Sequence, residues 1–378
     1  MAGGGQVIDS VVSVPASVLA GAHTWEPRVD SWLGTTWLGQ VPVTGGSVTW
    51  SASQQVQGSL SLTVPRTASA VPGADVRDWT PTDLTSPLAC AGQILHVSVT
   101  VGSTVTGQTW TVPLGRFLVT EWQVDSSTVK VTGKSLLHRV EEDRLTSPTA
   151  PRVGGTLASE LRRLVGGHMG VVIDPGLSDR GCPSMSWGES RIDAVYEIAD
   201  AWPARLREGS DGLLYVMPPD PTGPGRAMMD GVGGTVVGAA RSAKRDGVYN
   251  RVVARGQEST GGDSGAPAFQ AVADQTEGPL SVTGPYGVVT KFFSSPLVTS
   301  QAIAEKTARS LLATAVRRQI TVPITHVPDP TISLDDQITV TTQDMDGSPT
   351  LTRTGQVSAV EIPLLYSDTA RTDVEVHQ

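Results

Sequence analysis

Short runs in which every second residue is apolar return along most of this chain, and they constrain its fold more than any other feature. "GSLSLTVP" (58–65), "QILHVSVTV" (93–101) and "TVKVTG" (128–133) are examples. A period of two sends alternate side chains to opposite faces, as in strands half buried in a sheet. Val and Thr, which fill these runs, suit that pleated surface. Gly and Pro, 41 and 26 of 378 residues, punctuate the runs as turn formers.

Read this way, strands are expected in 6–66, then at 93–101, 109–115, 116–124 and 128–133, after a Pro- and Asp-rich loop over 67–90. Further strands are expected at 247–256, 319–325, 337–342, 350–360 and 361–366, followed by a Thr- and Asp-rich tail. The period changes in between. "GTLASELRRLVGG" (155–167) spaces Leu157, Leu161 and Leu164 as one helix face, with Thr156 as a cap and Gly166 and Gly167 as a stop. "SRIDAVYEIADAW" (190–202) repeats the pattern, and a hairpin turning at Asp211-Gly212 follows. The longest helical pattern is 294–318.

One internal echo suggests a duplicated β-unit. Thr63-Val64-Pro65, then Gln93-Ile94, then Gly115 with Glu121 six residues on, are matched by Thr321-Val322-Pro323, Gln337-Ile338, and Gly355 with Glu361. The expected fold class is therefore mainly β with α+β insertions: two related β-barrels per chain, a central α+β region and one long helix. The expected domains are an N-terminal barrel over 1–145, an α+β unit over 146–245, and the long helix with a second barrel over 246–378.

Composition narrows the function. A net charge of −9 argues against a partner held through phosphate charge, so sequence-specific nucleic-acid binding is not expected. The densest basic cluster, Arg241 with Lys244-Arg245, reads as a solvated loop. The two cysteines, Cys90 and Cys182, cannot form a metal cage, and two thiols in a chain this long fit a reducing cytoplasm. The N-terminus lacks the basic start of a signal peptide, and no run approaches the ~20 apolar residues of a membrane span.

"TGGDSGAPAF" (260–269) poses the sharpest chemical question, because Gly262-Asp263-Ser264-Gly265 spells the nucleophile motif of trypsin-type peptidases. A nucleophilic serine needs a base in reach, an acid to orient it and an oxyanion hole. His138 and His168 precede Ser264, but in "SLLHRVEED" and "VGGHMG" rather than in that family's context, and two amphipathic helices intervene. Ser264 reads as a loop serine. "VTGKS" (131–135) lacks the first glycine of a phosphate-binding loop, since residue 128 is Thr128. The Glu141-Glu142-Asp143 run reads as solvated, and Asp335-Asp336 as a turn before a strand. The nine tryptophans read as core or subunit contacts rather than a carbohydrate platform. No residue is assigned a catalytic, cofactor-binding or metal-ligating role, and no cofactor is expected.

From "YNRVVARGQEST" (249–260) through the "SSPL" turn (294–297) and the Ala/Arg-rich helix to "ITVPITHVPDPTISLDDQITV" (320–340), the chain resembles a known family. It is similar to minor tail proteins of long-tailed phages of actinobacteria, which resemble the trimeric hub proteins at phage tail tips. "VPVTGGSVTWSASQQVQGSLSLTVP" (41–65) fits the same pattern. The resemblance implies two related barrels per chain and a homotrimeric, pseudo-six-fold ring joining the tail tube to the tip and letting DNA pass. It implies contacts with the distal tail or tail tube protein, the tape-measure protein and tip or receptor-binding proteins. It also implies a virion location, with assembly in the host cytoplasm, and places "TGGDSGAP" in a loop of variable length. Peptidoglycan-cleaving extensions, known in some hub proteins, are not expected in this chain. The competing readings are a tail serine peptidase using Ser264 and a receptor- or carbohydrate-binding tail module.

Overall fold

The computed structural model describes residues 12–71, 73–218, 225–231, 234–239, 248–256, 269–294, 298, 300–317, 320–342 and 351–376. A short helix α1 (Ala16–Leu19) leads into β1 (His23–Leu33), β2 (Thr36–Val41), β3 (Gly45–Ser51) and β4 (Gly58–Pro65). The expected 67–90 loop contains a small hairpin, β5 (Thr67–Ser69) and β6 (Val76–Asp78). Its end is anchored by the buried Trp79, whose indole N–H donates to the Ala68 carbonyl. Then come β7 (Gln93–Ser103), β8 (Thr109–Val124) and β9 (Thr128–Ser135). Alternation is strict where the period was clearest: Leu60, Leu62 and Val64 on β4, and Leu95, Val97, Val99 and Val101 on β7, are all buried.

Two expected strands, 109–115 and 116–124, are the single strand β8. Gly115 sits at φ +150° beside a β-bulge on the same strand, where Leu114 is the extra residue opposite Val97 and Ser98, and the strand continues through it.

The middle segment carries α2 (Leu137–Glu142), α3 (Leu157–Val165), β10 (Val171–Ile173), α4 (Arg191–Ala201), β11 (Arg205–Glu208) and β12 (Leu214–Met217). Thr156 caps α3 in a reciprocal box with Ser159, and Gly166 ends it at φ +63°. Ser190 caps α4. The two helices pack over the three-stranded sheet β10-β12-β11, around a core of Leu157, Leu161, Leu164, Trp187, Ile198 and Leu214. Each such fully buried aliphatic side chain contributes about 1.5–3 kcal/mol.

The remainder begins with β13 (Gly225–Met229) and β14 (Val236–Ala239). Next is a separate sheet of β15 (Arg251–Arg255), β16 (Gln270–Asp274) and β17 (Thr290–Ser294), backed by α5 (Gln301–Arg317) with its own small core of Val252, Ala254, Ala304 and Ala308. Helix α5 lies within the expected 294–318, and Ser294 is the last residue of β17. The chain closes with β18 (Ile320–His326), β19 (Gln337–Thr342), β20 (Leu351–Pro363) and β21 (Ala370–Val376). The two expected strands 350–360 and 361–366 are one, β20. The expected polar tail is β21, a strand with both neighbours paired: Ala370, Thr372, Val374 and Val376 face inward, and Thr372 satisfies its hydroxyl on the buried His326 at 2.8 Å.

Strand order repeats. In the first unit β4-β9-β8-β7 run side by side, all antiparallel; in the second, β18-β21-β20-β19 do the same. Each set is a Greek-key arrangement, its first strand returning beside its last. Each is flanked by earlier strands, β3 on β4 and β1 on β7 in one, β14 on β18 and β13 on β19 in the other. The two units join edge to edge where β3 pairs with β20, giving a single 13-stranded sheet and one continuous core. Among the described residues, no helix is long and apolar enough to cross a membrane.

Candidate functional site: the junction of the two sheet units

The strongest constellation of buried polar groups lies where the two sheet units and the α+β segment meet. Its floor is the β3·β20 pairing, Ser47–Ser51 against Pro363–Ala359. Trp50 on β3 is the anchor. Its indole N–H donates to the Leu114 carbonyl at 3.0 Å, and its ring lies 5.8 Å from that of Phe117. The space comes from two glycines: a Cβ on Gly58 would stand 2.7 Å from the Trp50 ring, and one on Gly115 2.9 Å from it. On the outer surface Ser47 donates to Glu361 across the same seam at 3.0 Å.

Three ties hold the α+β segment to this seam. The turn between β3 and β4 reaches α4 and β11. Tyr196 donates to the Gln55 carbonyl, and the Gln57 amide bonds Leu206 and Glu208 backbone groups. Glu208, 3% exposed, accepts from the backbone N–H of Leu136 at 2.6 Å and of Leu137 at 3.2 Å, where β9 turns into α2. Burial pushes its carboxyl up to about 7, against the opposing pull of hydrogen bonds from Ser135, Leu137 and Leu136. The third tie is an ion pair between Arg205 on β11 and Asp335, at 2.7 Å.

Asp336, 3% exposed, pairs with Arg226 on β13 at 3.1 Å and accepts from the Ser333 N–H. Arg226 also donates to the Thr331 hydroxyl and carbonyl and lies 3.6 Å from Asp329. Burial raises the Asp336 carboxyl above its ordinary value, while Arg226 pulls it back. A cavity of about 70 Å³ lies among Trp50, Leu114, Glu208, Arg226, Ile332 and Asp336. That is far below the roughly 300–1,000 Å³ of small-molecule sites. Its chemistry is a lock between segments: Asp336 is paired with Arg226, and Glu208 is held by backbone N–H groups.

Ser264 and the rest of 257–268 lie outside the described residues, as does the basic cluster Arg241, Lys244 and Arg245. His138 sits on α2 between Glu141 (2.6 Å) and Glu142 (3.3 Å), and His168 bonds Asp143 at 2.8 Å, with Arg191 on the same carboxylate. The Glu141-Glu142-Asp143 run is thus taken up by His and Arg side chains. Among the described residues, no group of three metal-ligating side chains converges. "VTGKS" is the end of β9. Cys90 is exposed, and both cysteines are free thiols. Four tryptophans, Trp50, Trp79, Trp187 and Trp202, are core residues, whereas Trp37 and Trp122 are exposed. The residues that sequence reading passed over are Asp335 and Asp336, read as an ordinary turn. Their arginines lie more than 100 positions away, and no spacing rule connects them.

No protein-family model and no curated protein matches the chain. Solved structures do. A 43 kDa tail protein of prophage MuSo2 from Shewanella oneidensis aligns with a TM-score of 0.60 at 12% identity, over 92% of this chain and 98% of that one. A tail protein from Neisseria meningitidis MC58 gives 0.60 at 13%, over 93% and 97%. The prophage tail protein gp18 from Listeria monocytogenes EGD-e gives 0.52 at 10%, over 92% and 94%. At such identities the likeness is one of fold, and it runs nearly end to end: this mainly β chain is folded like prophage tail proteins.

Proposed function

We propose that this protein is a structural component of a phage tail tip, a hub that assembles as a homotrimeric, pseudo-six-fold ring between tail tube and tip. The observation that carries this reading is the strand-order repeat. One chain holds two units with the same Greek-key order joined edge to edge, so three chains would offer six similar units around an axis. Closed rings of identical chains are the common form of soluble oligomers, and a two-unit chain lets a three-fold ring meet a six-fold one. The end-to-end likeness to prophage tail proteins supports the same reading.

In this proposal residues 1–145 supply the first barrel, 146–245 the α+β unit, and 246–378 the long helix and the second barrel, to which β13 and β14 also contribute. The role is mechanical rather than enzymatic, and the polar junction serves to hold the units at a fixed spacing. The partners are the tail tube or distal tail protein above, the tape-measure protein within, and tip or receptor-binding proteins below. DNA passes through the ring unread. The particle's tail tip is the location, after assembly in the host cytoplasm.

Light scattering on the purified chain tests the ring. A native mass near 118.5 kDa, three times 39.5 kDa, is expected. A mass of 39.5 kDa at every attainable concentration would overturn the trimer.

A further inference from the structure

The two sheet units differ at one edge. The comparison is anchored by a shared irregularity. Strand β8 carries an extra residue, Thr120, opposite β9, and β20 carries an extra residue, Ser358, opposite β21. In both bulges the hydroxyl donates to the carbonyl facing the bulge: Thr120 to Thr132 at 3.3 Å, and Ser358 to Asp373 at 3.2 Å. Counting from these bulges, Trp122 corresponds to Val360 and Val124 to Ile362.

On β20 the stretch beyond the bulge is paired on both sides, with β21 on one and β3 on the other. Backbone bonds from Ala52 to Ser358 and from Leu364 to Gly46 show that even-numbered residues of β20 face β3. On β8 the same stretch is paired only with β9; its pairing with β7 stops at Leu118. Asp125 donates its backbone N–H to the Thr128 carbonyl on the β9 side, so the odd-numbered residues of this stretch face β9, and the outward edge at Trp122 lies beside the Cys90 thiol. The even-numbered residues thus face outward here too.

Burial follows pairing. Val360 and Ile362 are 1% and 2% exposed, whereas Trp122 is 37% exposed. The stretch Val119–Val124 contains no lysine or proline, the residues that commonly blunt an open edge. The complementary edge is on β14. It stands to β18 as β3 stands to β4, antiparallel, and its far side has no strand partner among the described residues.

From this we infer that the open β8 edge, Thr120–Val124, is an interaction surface for a second copy of this chain, which adds its β14 there as β3 adds to β20 within one chain. The inference rests on the ring reading and states which edges close it: intrachain β3·β20 pairs alternate with interchain β14·β8 pairs. The partner strand covers Trp122 and supplies a carbonyl to its outward N–H.

The test is Val124→Pro. Its N–H faces away from β9, so the substitution deletes an outward donor without removing a bond from its own sheet, a position where proline is tolerated. Wild type at 118.5 kDa and a folded V124P at 39.5 kDa support the inference. Both at 118.5 kDa overturn it and leave the trimer standing. Wild type at 39.5 kDa overturns the ring and the inference with it. Should V124P fail to fold, Trp122→Lys places a charge on the same edge and is read the same way. An independent readout is maleimide labelling of Cys90 in wild type, with Cys182 as the internal control. Labelling of Cys90 at least tenfold slower in trimer than in diluted monomer supports strand addition, and equal rates overturn it.

Discussion

The two sheet units share a strand order but are locked by different chemistry, and the cause is the direction of one outer strand. In the first unit β1 runs antiparallel to β7, so the start of β7 meets the end of β1, Leu33 beside Gln93. The loop before β7 is then clamped by a neutral group. The buried Gln93 amide donates to the Leu84 and Ser86 carbonyls and accepts from the Ala91 N–H. In the second unit β13 runs parallel to β19, so the starts of both strands coincide and Arg226 stands beside Ile338. Here the loop before the strand is clamped by Asp336 and paid for with a buried ion pair. The same scaffold position therefore admits a neutral or a charged lock, according to which end of the neighbouring strand arrives there.

This contrast can be broken most decisively at Arg226. Arg226→Met strands Asp336 in a buried site, and a loss of about 3–5 kcal/mol is expected in urea unfolding. Combining it with Asp336→Leu should recover most of that loss, as replacing both ends of a buried pair often does. Gln93→Leu, the matched change in the first unit, leaves neutral groups unpaired and should cost only about 1–3 kcal/mol. Equal losses at the two positions would remove the distinction.

The tie between the first unit and the α+β segment should show itself through pH. The Glu208 carboxyl is raised by burial from 4.5 to about 7. A raised acid favours its protonated form in the folded state, so its contribution is complete below about 4.5, falls as pH rises through 7, and is level above that. The stability of Glu208→Gln relative to wild type should therefore rise between pH 5 and pH 8, by roughly 3 kcal/mol at most. A difference that stays flat over that range would mean that the carboxyl is already ionised at pH 5.

The smallest effect tests the bulge equivalence. Thr120→Val and Ser358→Ala each remove one hydroxyl contact to the facing carbonyl, and each should cost about 1 kcal/mol. Losses that differ by more than twofold would argue that the bulges are not alike.

Much of this was legible beforehand where local rules act alone. The alternation of β4 and β7, the Thr156 cap and the Gly166 stop depend on neighbours a few positions away, and all are in place. The echo landmarks were a poorer guide than the order they hinted at. Counting from the bulges, Glu361 matches Gln123 rather than Glu121, so the residue match is two positions out of register while the strands are in the same order. Strand β21 was hidden because its inward Thr372 looks polar until His326 is placed opposite it. The junction locks were hidden for a similar reason, since Asp335 and Asp336 acquire meaning only when Arg205 and Arg226 arrive from distant strands.

Strand β20 has a mechanical consequence. It belongs to both sheet units at once, through five matched positions with β3. Sliding one unit past the other along the strands would load all five together, whereas peeling them apart would open the positions one after another. The seam is thus stiff against shear and comparatively weak against prying. The ion pairs Arg205–Asp335 and Arg226–Asp336 brace one end of it, where the Asp335 and Asp336 backbones bond Val357 of β20.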